Sequence, residues 1–269
     1  MNISISKQLK KPLFLITLIL CSLPYVACST TKNSIKAAPI TGFVQIRLDT
    51  NISECVKNTP CKTGPIGSVG SGGVIGSYNG ITAILTAAHV CNASLGEADK
   101  IIKKKESRLS AKLWDGSIVP AYVLLSSNVK DIDLCTVYIA TPKIKLEVLK
   151  PARVAPVVGQ KVVAMSAPAG IYHPPTVPIL QGRYSGPLPN GFSSIVTIPS
   201  KPGASGALVL NEEYRVVGVI YAVSISFEHV TLSVDYKTTR FFIKESLKML
   251  KGTNMSSPMY PAIKPGFQL

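Results

Sequence analysis

Charge is in short supply in this chain. Asp, Glu, Lys and Arg make up 16% of its 269 residues, against 46% hydrophobic residues. So few charges and so much apolar material exclude wholesale disorder and provide for a sizeable core. Acidic residues are the scarcer sign, 14 against 29 basic, which leaves a formal net charge of +15. A basic excess suits nucleic acid, anionic membrane or acidic partners. The lysines are scattered, however, apart from Lys103, Lys104 and Lys105, and no aromatic-rich nucleic-acid motif accompanies them. The excess reads as a solvated basic surface, with no specific nucleic-acid site. Paired C-x-x-C units are also missing, so a zinc site lacks its usual ligand spacing. No metal or cofactor is expected. After the N-terminal region no apolar run has the length of a membrane span.

The N-terminal region is distinctive. Lys7, Lys10 and Lys11 precede an apolar run from Pro12 to Leu20 that continues, with small breaks, to Ala27. A positive stretch followed by a short apolar one is the layout of a secretory signal peptide, here residues 1–27. The segment from Pro24 to Cys28 resembles a bacterial lipoprotein cleavage site with Cys28 as the acylated residue, although Tyr25 stands where such sites usually carry Leu. The expected destination is outside the cytoplasm: secreted, periplasmic or envelope-attached, with membrane contact only through Cys28. Residues 28–40 read as a polar tether. Of the six cysteines, Cys21 and Cys28 belong to the leader region. The remaining four permit three pairings. Cys55 and Cys61 flank a Thr-Pro turn and suit a local staple. Cys91 and Cys135 would then pair or stay as buried thiols.

From Thr41 onward the pattern is that of short strands. Residues 42–48 alternate apolar and other side chains, as a half-buried strand does. Residues 52–72, with their Cys, Gly and Pro, read as a loop. Residues 73–76 and 81–85 form a hairpin about Asn79-Gly80. A second hairpin spans 107–125 about Asp115-Gly116, a strand covers 134–139, and this first set ends near Lys150. Six further strands are expected at 161–165, 179–184, 194–198, 206–210, 216–221 and 230–234. With 20 Gly and 20 Pro spread along the chain, this is an all-β barrel or sandwich pattern. The expected units are 41–150, 151–235, a C-terminal helix over 236–252 and a tail over 253–269. The helix has Phe241, Phe242, Ile243, Leu247, Met249 and Leu250 on a broad apolar face and Gly252 as its stop. Its expected role is to pack on the second set of strands.

Three local motifs carry chemistry. The first runs from Leu85 to Cys91: a strand, small residues Thr86, Ala87 and Ala88, then His89. Small neighbours leave room for an imidazole that faces a cleft, and imidazole is the side chain suited to general-base work near neutral pH. The second runs from Lys130 to Val137. Asp133 is preferred to Asp131 because the apolar run begins immediately after it. A buried carboxylate there reaches the second ring nitrogen, fixes the tautomer and stabilises the imidazolium. The third runs from Pro202 to Val209. Ser205 lies among Gly203, Ala204, Gly206 and Ala207 on a turn that lets its hydroxyl project. A base must take the serine proton to make it a nucleophile. The N–H groups of Gly203 and Ser205 are the natural oxyanion donors.

Taken in the order His, Asp, Ser, these motifs resemble those of the chymotrypsin/trypsin-like serine peptidases. The likeness extends to residues 71–75, 113–116 and 217–219, and covers about 41–250. It is greatest for the compact bacterial branch, with its high-temperature-requirement proteases and glutamyl endopeptidases. The resemblance implies two six-stranded antiparallel β-barrels with the triad at their junction. It also implies hydrolysis of peptide bonds in a protein or peptide substrate through an acyl-enzyme. There are departures. Ala204 replaces the acidic or Asn residue before the nucleophile, so it cannot pair with an amino terminus freed by zymogen cleavage. Ala207 replaces a Gly. By the same alignment Tyr221, Ala222 and Val223 bind substrate backbone, Val223 narrows the primary pocket, and Pro199 leaves its base uncharged. Small or modest aliphatic side chains are the expected preference. His229 lies near the pocket wall or on an exposed loop, and His173 reads as a loop residue. Ser224, Ser226 and Thr231 line the pocket or face solvent. The tail after Gly252 is too short for a peptide-binding domain, so a monomer is expected. The competing reading is a catalytically silent barrel of this type acting as a surface binding module.

Overall fold

A computed structural model of the chain describes residues 36–92, 96–127, 129, 132–224, 227 and 229–252. The proposed leader, Cys28, most of the tether, the tail, Asp131 and Ser226 lie outside the described residues.

The first six strands are β1 (Phe43–Cys55), β2 (Gly64–Tyr78), β3 (Ile81–Thr86), β4 (Ile102–Lys112), β5 (Ile118–Ser126) and β6 (Cys135–Ala140). They close into a barrel in the order β1-β2-β3-β6-β5-β4. The next six are β7 (Lys161–Met165), β8 (Ile179–Pro187), β9 (Ser193–Val196), β10 (Leu208–Leu210), β11 (Val216–Val223) and β12 (Thr231–Val234). They close in the order β10-β11-β12-β9-β8-β7. Every strand pairing is antiparallel. The fold is therefore all-β with two closed six-stranded barrels and a C-terminal helix.

The local chemistry explains the turns. Asn79 and Gly80 both have positive φ, 46° and 76°, as the tight β2–β3 hairpin requires. At the β4–β5 turn, Gly116 has φ 88° and the Asp115 carboxylate accepts both the N–H and the hydroxyl of Ser117. Each barrel is filled by alternate side chains. Val44, Ile46, Val74, Ile84, Val137 and Ile139 fill the first, and Val162, Val196, Ile198, Val209 and Ile220 the second. A third cluster lies between the barrels and includes Phe43, Leu85, Leu134, Leu149, Met165, Leu208 and Val219. Full burial of each such side chain contributes about 1.5–3 kcal/mol. The inter-barrel layer is what fixes one barrel against the other.

Two expectations need correction. Residues 52–72 are mostly strand: β1 continues to Cys55 and β2 starts at Gly64, with Ile52 opposite Gly64 and Asn51 opposite Pro65. Glycine is a poor strand former in isolation, but here it is required for close approach. A Cβ on Gly70 would stand 2.6 Å from the Val90 methyls, and one on Gly73 would stand 2.5 Å from Leu208. Helix α1 (Ala88–Cys91) is a single turn; the long one is α2 (Tyr236–Gly252). Asp235 caps α2 by accepting the N–H groups of Lys237 and Thr238 and the Thr238 hydroxyl. Its buried residues Thr239, Phe242, Ile243, Ser246 and Leu250 form one stripe. That stripe packs on both barrels, not on the second alone. Ser246 of α2 is hydrogen-bonded to Thr136 of β6 at 2.7 Å, and the helix also lies against β2, β3, β5 and β11.

Candidate active site

β3 delivers the chain to the junction of the barrels. Its last residue, Thr86, is fully buried and its hydroxyl donates to the Ser71 carbonyl at 2.7 Å. Ala87 remains extended, and a one-turn helix α1 (Ala88–Cys91) then presents His89. The His89 ring is 49% exposed, so it faces open space and not the core.

Asp133 stands two residues before β6, between buried Ile132 and Leu134. It holds His89 at two points. The backbone N–H of His89 donates to Asp133 Oδ1 at 2.9 Å, and His89 Nδ1 lies 2.5 Å from Asp133 Oδ2. An ionised carboxylate only accepts, so Nδ1 carries the proton and Nε2 is left with its lone pair. Burial pushes the Asp133 carboxyl up, but the ring hydrogen bond, the His89 charge and the N–H groups of His89 and Ala88 together outweigh it. The net effect holds the carboxyl below the ordinary aspartate range.

A disulfide reinforces this pair. Cys91 is bonded to Cys135, 44 residues on, which links the residue two past His89 to the residue two past Asp133. Cys55 is bonded to Cys61 at the tip of the β1–β2 ribbon. Both pairings are among those the spacing allowed.

Ser205 lies on two successive tight turns, closed by Ala204 N–H to the Lys201 carbonyl and by Ala207 N–H to the Ala204 carbonyl. Gly203 and Gly206 adopt φ of 98° and 87°, a region open to glycine. This loop is seated against the segment that bears His89. A Cβ on Gly206 would fall 2.1 Å from the Ser71 carbonyl oxygen and from Thr86 Oγ1, and 3.0 Å from the Ala87 nitrogen. The Ser71 N–H donates to the Ser205 carbonyl at 2.7 Å. Among the described residues, no hydrogen bond joins His89 to Ser205. Among the described residues, no backbone–backbone loop or turn hydrogen bond is donated by the N–H of Gly203 or of Ser205.

A family model described as the trypsin-like peptidase domain matches residues 70–219. The chain belongs to the trypsin-like peptidase family. The matched stretch of this trypsin-like chain contains His89, Asp133, Pro199, Gly203 and Ser205, and stops short of Tyr221, Ala222, Val223 and His229. Among solved structures, the serine endoprotease from Yersinia pestis is similar at 18% identity and a TM-score of 0.54, over 80% of this chain and 64% of that one. At that identity the likeness concerns the fold. No curated protein matches the chain.

The remaining residues singled out in the sequence fall unevenly. Tyr221 is half-buried and its hydroxyl is bonded to Ser193 at 3.0 Å. Ala222 and Val223 are half-buried on β11 and lie opposite Leu232 and Thr231 of β12. Pro199 is half-buried just after β9. Ser224 is half-buried, with its N–H donating to the Val230 carbonyl. Thr231 neither faces solvent nor offers a free hydroxyl; it is fully buried and donates to the Ile198 carbonyl at 2.6 Å. His229 is exposed in a turn, 5.6 Å from the Phe227 ring, and His173 is exposed in another turn, its carbonyl accepting the Thr176 N–H. Two junction residues were not anticipated. Tyr172 of the second barrel donates its hydroxyl to the Leu113 carbonyl of the first at 2.8 Å, and burial pushes that phenol well up. Ser71 lies inside the Ser-Gly-Gly-Val stretch that carried the family likeness, but nothing in its local spacing announces what its hydroxyl touches.

Proposed function

We propose that this chain is a serine endopeptidase that cleaves peptide bonds through an acyl-enzyme. His89 Nε2 takes the proton of Ser205 Oγ as that oxygen attacks the substrate carbonyl carbon. Asp133 holds the ring and stabilises the imidazolium that forms. The N–H groups of Gly203 and Ser205 receive the oxyanion. His89 then gives its proton to the leaving amine, and a water activated by His89 hydrolyses the acyl ester. The observation that carries this reading is the two-point grip of Asp133 on His89, next to a serine loop docked on the strand end that leads to His89. The His89–Ser205 contact is one that substrate binding closes, as is common for catalytic hydrogen bonds in free enzymes.

The substrate side follows from the same frame. Tyr221, Ala222 and Val223 present backbone to an extended peptide. The Val223 side chain and the uncharged Pro199 favour small or modest aliphatic groups in the primary pocket, which a peptide-library cleavage profile reads directly. Ala204, with 1% exposure, offers no carboxylate to a new amino terminus, so no zymogen switch of that kind operates. The two disulfides favour an oxidising compartment outside the cytoplasm, in keeping with residues 1–27 as an export signal.

The test is a fluorophosphonate probe applied to the folded protein. Covalent labelling is expected on Ser205 and is expected to vanish in Ser205→Ala. An unlabelled, folded wild type would refute the enzyme and leave a binding module.

A further inference from the structure

Ser71 on β2 is fully buried, and each of its polar groups is engaged at the junction of the barrels. Its hydroxyl donates to the Gly203 carbonyl at 2.8 Å and accepts the Ala167 N–H at 2.9 Å. Its backbone N–H donates to the Ser205 carbonyl and its carbonyl accepts the Thr86 hydroxyl, both at 2.7 Å. One residue of the first barrel thus touches the nucleophile loop on both sides of Ala204, the segment between β7 and β8, and the strand end that leads to His89.

The hydroxyl matters most for Gly203. That residue stands at φ 98° and has no side chain to brace it. Its conformation is set by the two peptide planes on either side. The Pro202 carbonyl accepts the Ala169 N–H at 2.7 Å, which fixes the plane that carries the Gly203 N–H. The Gly203 carbonyl accepts the Ser71 hydroxyl, which fixes the next plane. Peptide planes are rigid, so pinning both fixes the direction of the Gly203 N–H. The support on the far side depends on Ser71 as well. Gly203 packs on the 167–170 segment, where a Cβ would stand 2.4 Å from the Ala167 oxygen and 2.9 Å from the Gly170 nitrogen. Ser71 holds that segment through the Ala167 N–H.

We infer that Ser71 is a positioning residue for the oxyanion-binding loop, its hydroxyl holding the Gly203 N–H toward the reacting carbonyl. The inference rests on the reading of Ser205 as nucleophile. Without the hydroxyl, the Gly203 carbonyl and the Ala167 N–H are left unpaired inside the protein, an arrangement the loop relieves by turning its peptides. The Gly203 N–H then leaves its aim.

The experiment compares wild type, Ser71→Ala and Ser71→Thr in two arms: the second-order rate of fluorophosphonate labelling, and amide hydrogen exchange across residues 201–207. Loss of an oxyanion donor costs roughly 100- to 1000-fold, and a residue acting through that donor should cost Ser71→Ala about 10- to 100-fold in labelling rate. Exchange across 201–207 should quicken in the same variant while exchange of β3 and β6 holds. Ser71→Thr, which keeps the hydroxyl, should restore both. Labelling of Ser71→Ala at the wild-type rate, unchanged exchange in the loop, or a Ser71→Thr as impaired as Ser71→Ala would each overturn the inference. An unlabelled wild type would sink the enzyme reading instead, and the exchange arm would then decide whether Ser71 sets the loop. Should Ser71→Ala fail to fold, Ser71→Cys, with a similar volume and a weak donor, takes its place in both arms.

Discussion

Replacing Gly206 by alanine should destabilise the protein well beyond what its backbone angle alone requires. At φ 87° any L side chain meets left-handed strain, and the new Cβ would stand 2.1 Å from both the Ser71 carbonyl oxygen and Thr86 Oγ1. Those two atoms are hydrogen-bonded to each other, so the methyl is driven into the bond that ties β2 to β3. Ordinary contact begins near 3.4 Å, so one partner must move by more than an ångström. The loop itself is held by the Gly206 N–H to the Ile220 carbonyl at 2.7 Å. Left-handed strain of about 1–2 kcal/mol plus overpacking of about 1–3 kcal/mol gives roughly 2–5 kcal/mol. At about 2–4 °C per kcal/mol for a chain of this size, the midpoint should fall by roughly 4–20 °C. Gly159 is the matched control: its φ is 85° but a Cβ there meets nothing within 4 Å. Gly159→Ala should therefore lose only the strain, about 1–2 kcal/mol. The assay is thermal unfolding followed by near-ultraviolet circular dichroism. If Gly206→Ala melts no lower than Gly159→Ala, the serine loop is not seated on β3 as described, and the proposed pairing of Ser205 with His89 fails with it.

Asp133→Asn keeps the shape of the carboxylate but lets the amide present a donor to Nδ1; turnover should fall roughly ten-thousand-fold with little change in substrate binding, checked by steady-state kinetics on a cleaved peptide. The depressed Asp133 carboxyl also has a pH signature. Its stabilising contribution is fully present above the unfolded aspartate value, about 4, and is lost as pH falls through the lower folded value. The gap in melting temperature between wild type and Asp133→Asn should accordingly shrink as pH falls below about 4; a gap that widens below about 4 would contradict it. Tyr172→Phe removes one of the two hydrogen bonds on the Leu113 carbonyl, which keeps the Gly116 N–H, and should cost about 0.5–1.5 kcal/mol by denaturant midpoint, with an unchanged slope.

The sequence conveyed the strands that obey local rules. Asn79-Gly80 favours a tight turn on its own, and residues 42–48 alternate apolar and other side chains as a strand does. The tail helix was equally plain, because its apolar stripe can be read without a distant partner. His89 and Ser205 drew notice because small residues and glycines flank them, and Asp133 because an apolar run begins immediately after it. What misled was Gly64 to Gly72. Its glycines look like loop material until Val90 of α1 and Ile84 and Leu85 of β3 are seen pressing on Gly70 and Gly72. Ser71 was opaque for the same reason: its partners are 15, 96 and 132 residues away, and no local pattern encodes them.

The Cys91–Cys135 bond places the His89–Asp133 pair at the neck of a covalent ring. When that ring is open, the pair is aligned only by the β3–β6 ladder, whose last rung pairs Thr86 with Cys135. Cytosolic thiol buffers keep such a ring open. Dithiothreitol should slow fluorophosphonate labelling of the wild type, whereas Cys55→Ser with Cys61→Ser should not; equal labelling before and after reduction would mean the ladder suffices. For the proposed enzyme, the second disulfide would then tie activity to an oxidising compartment.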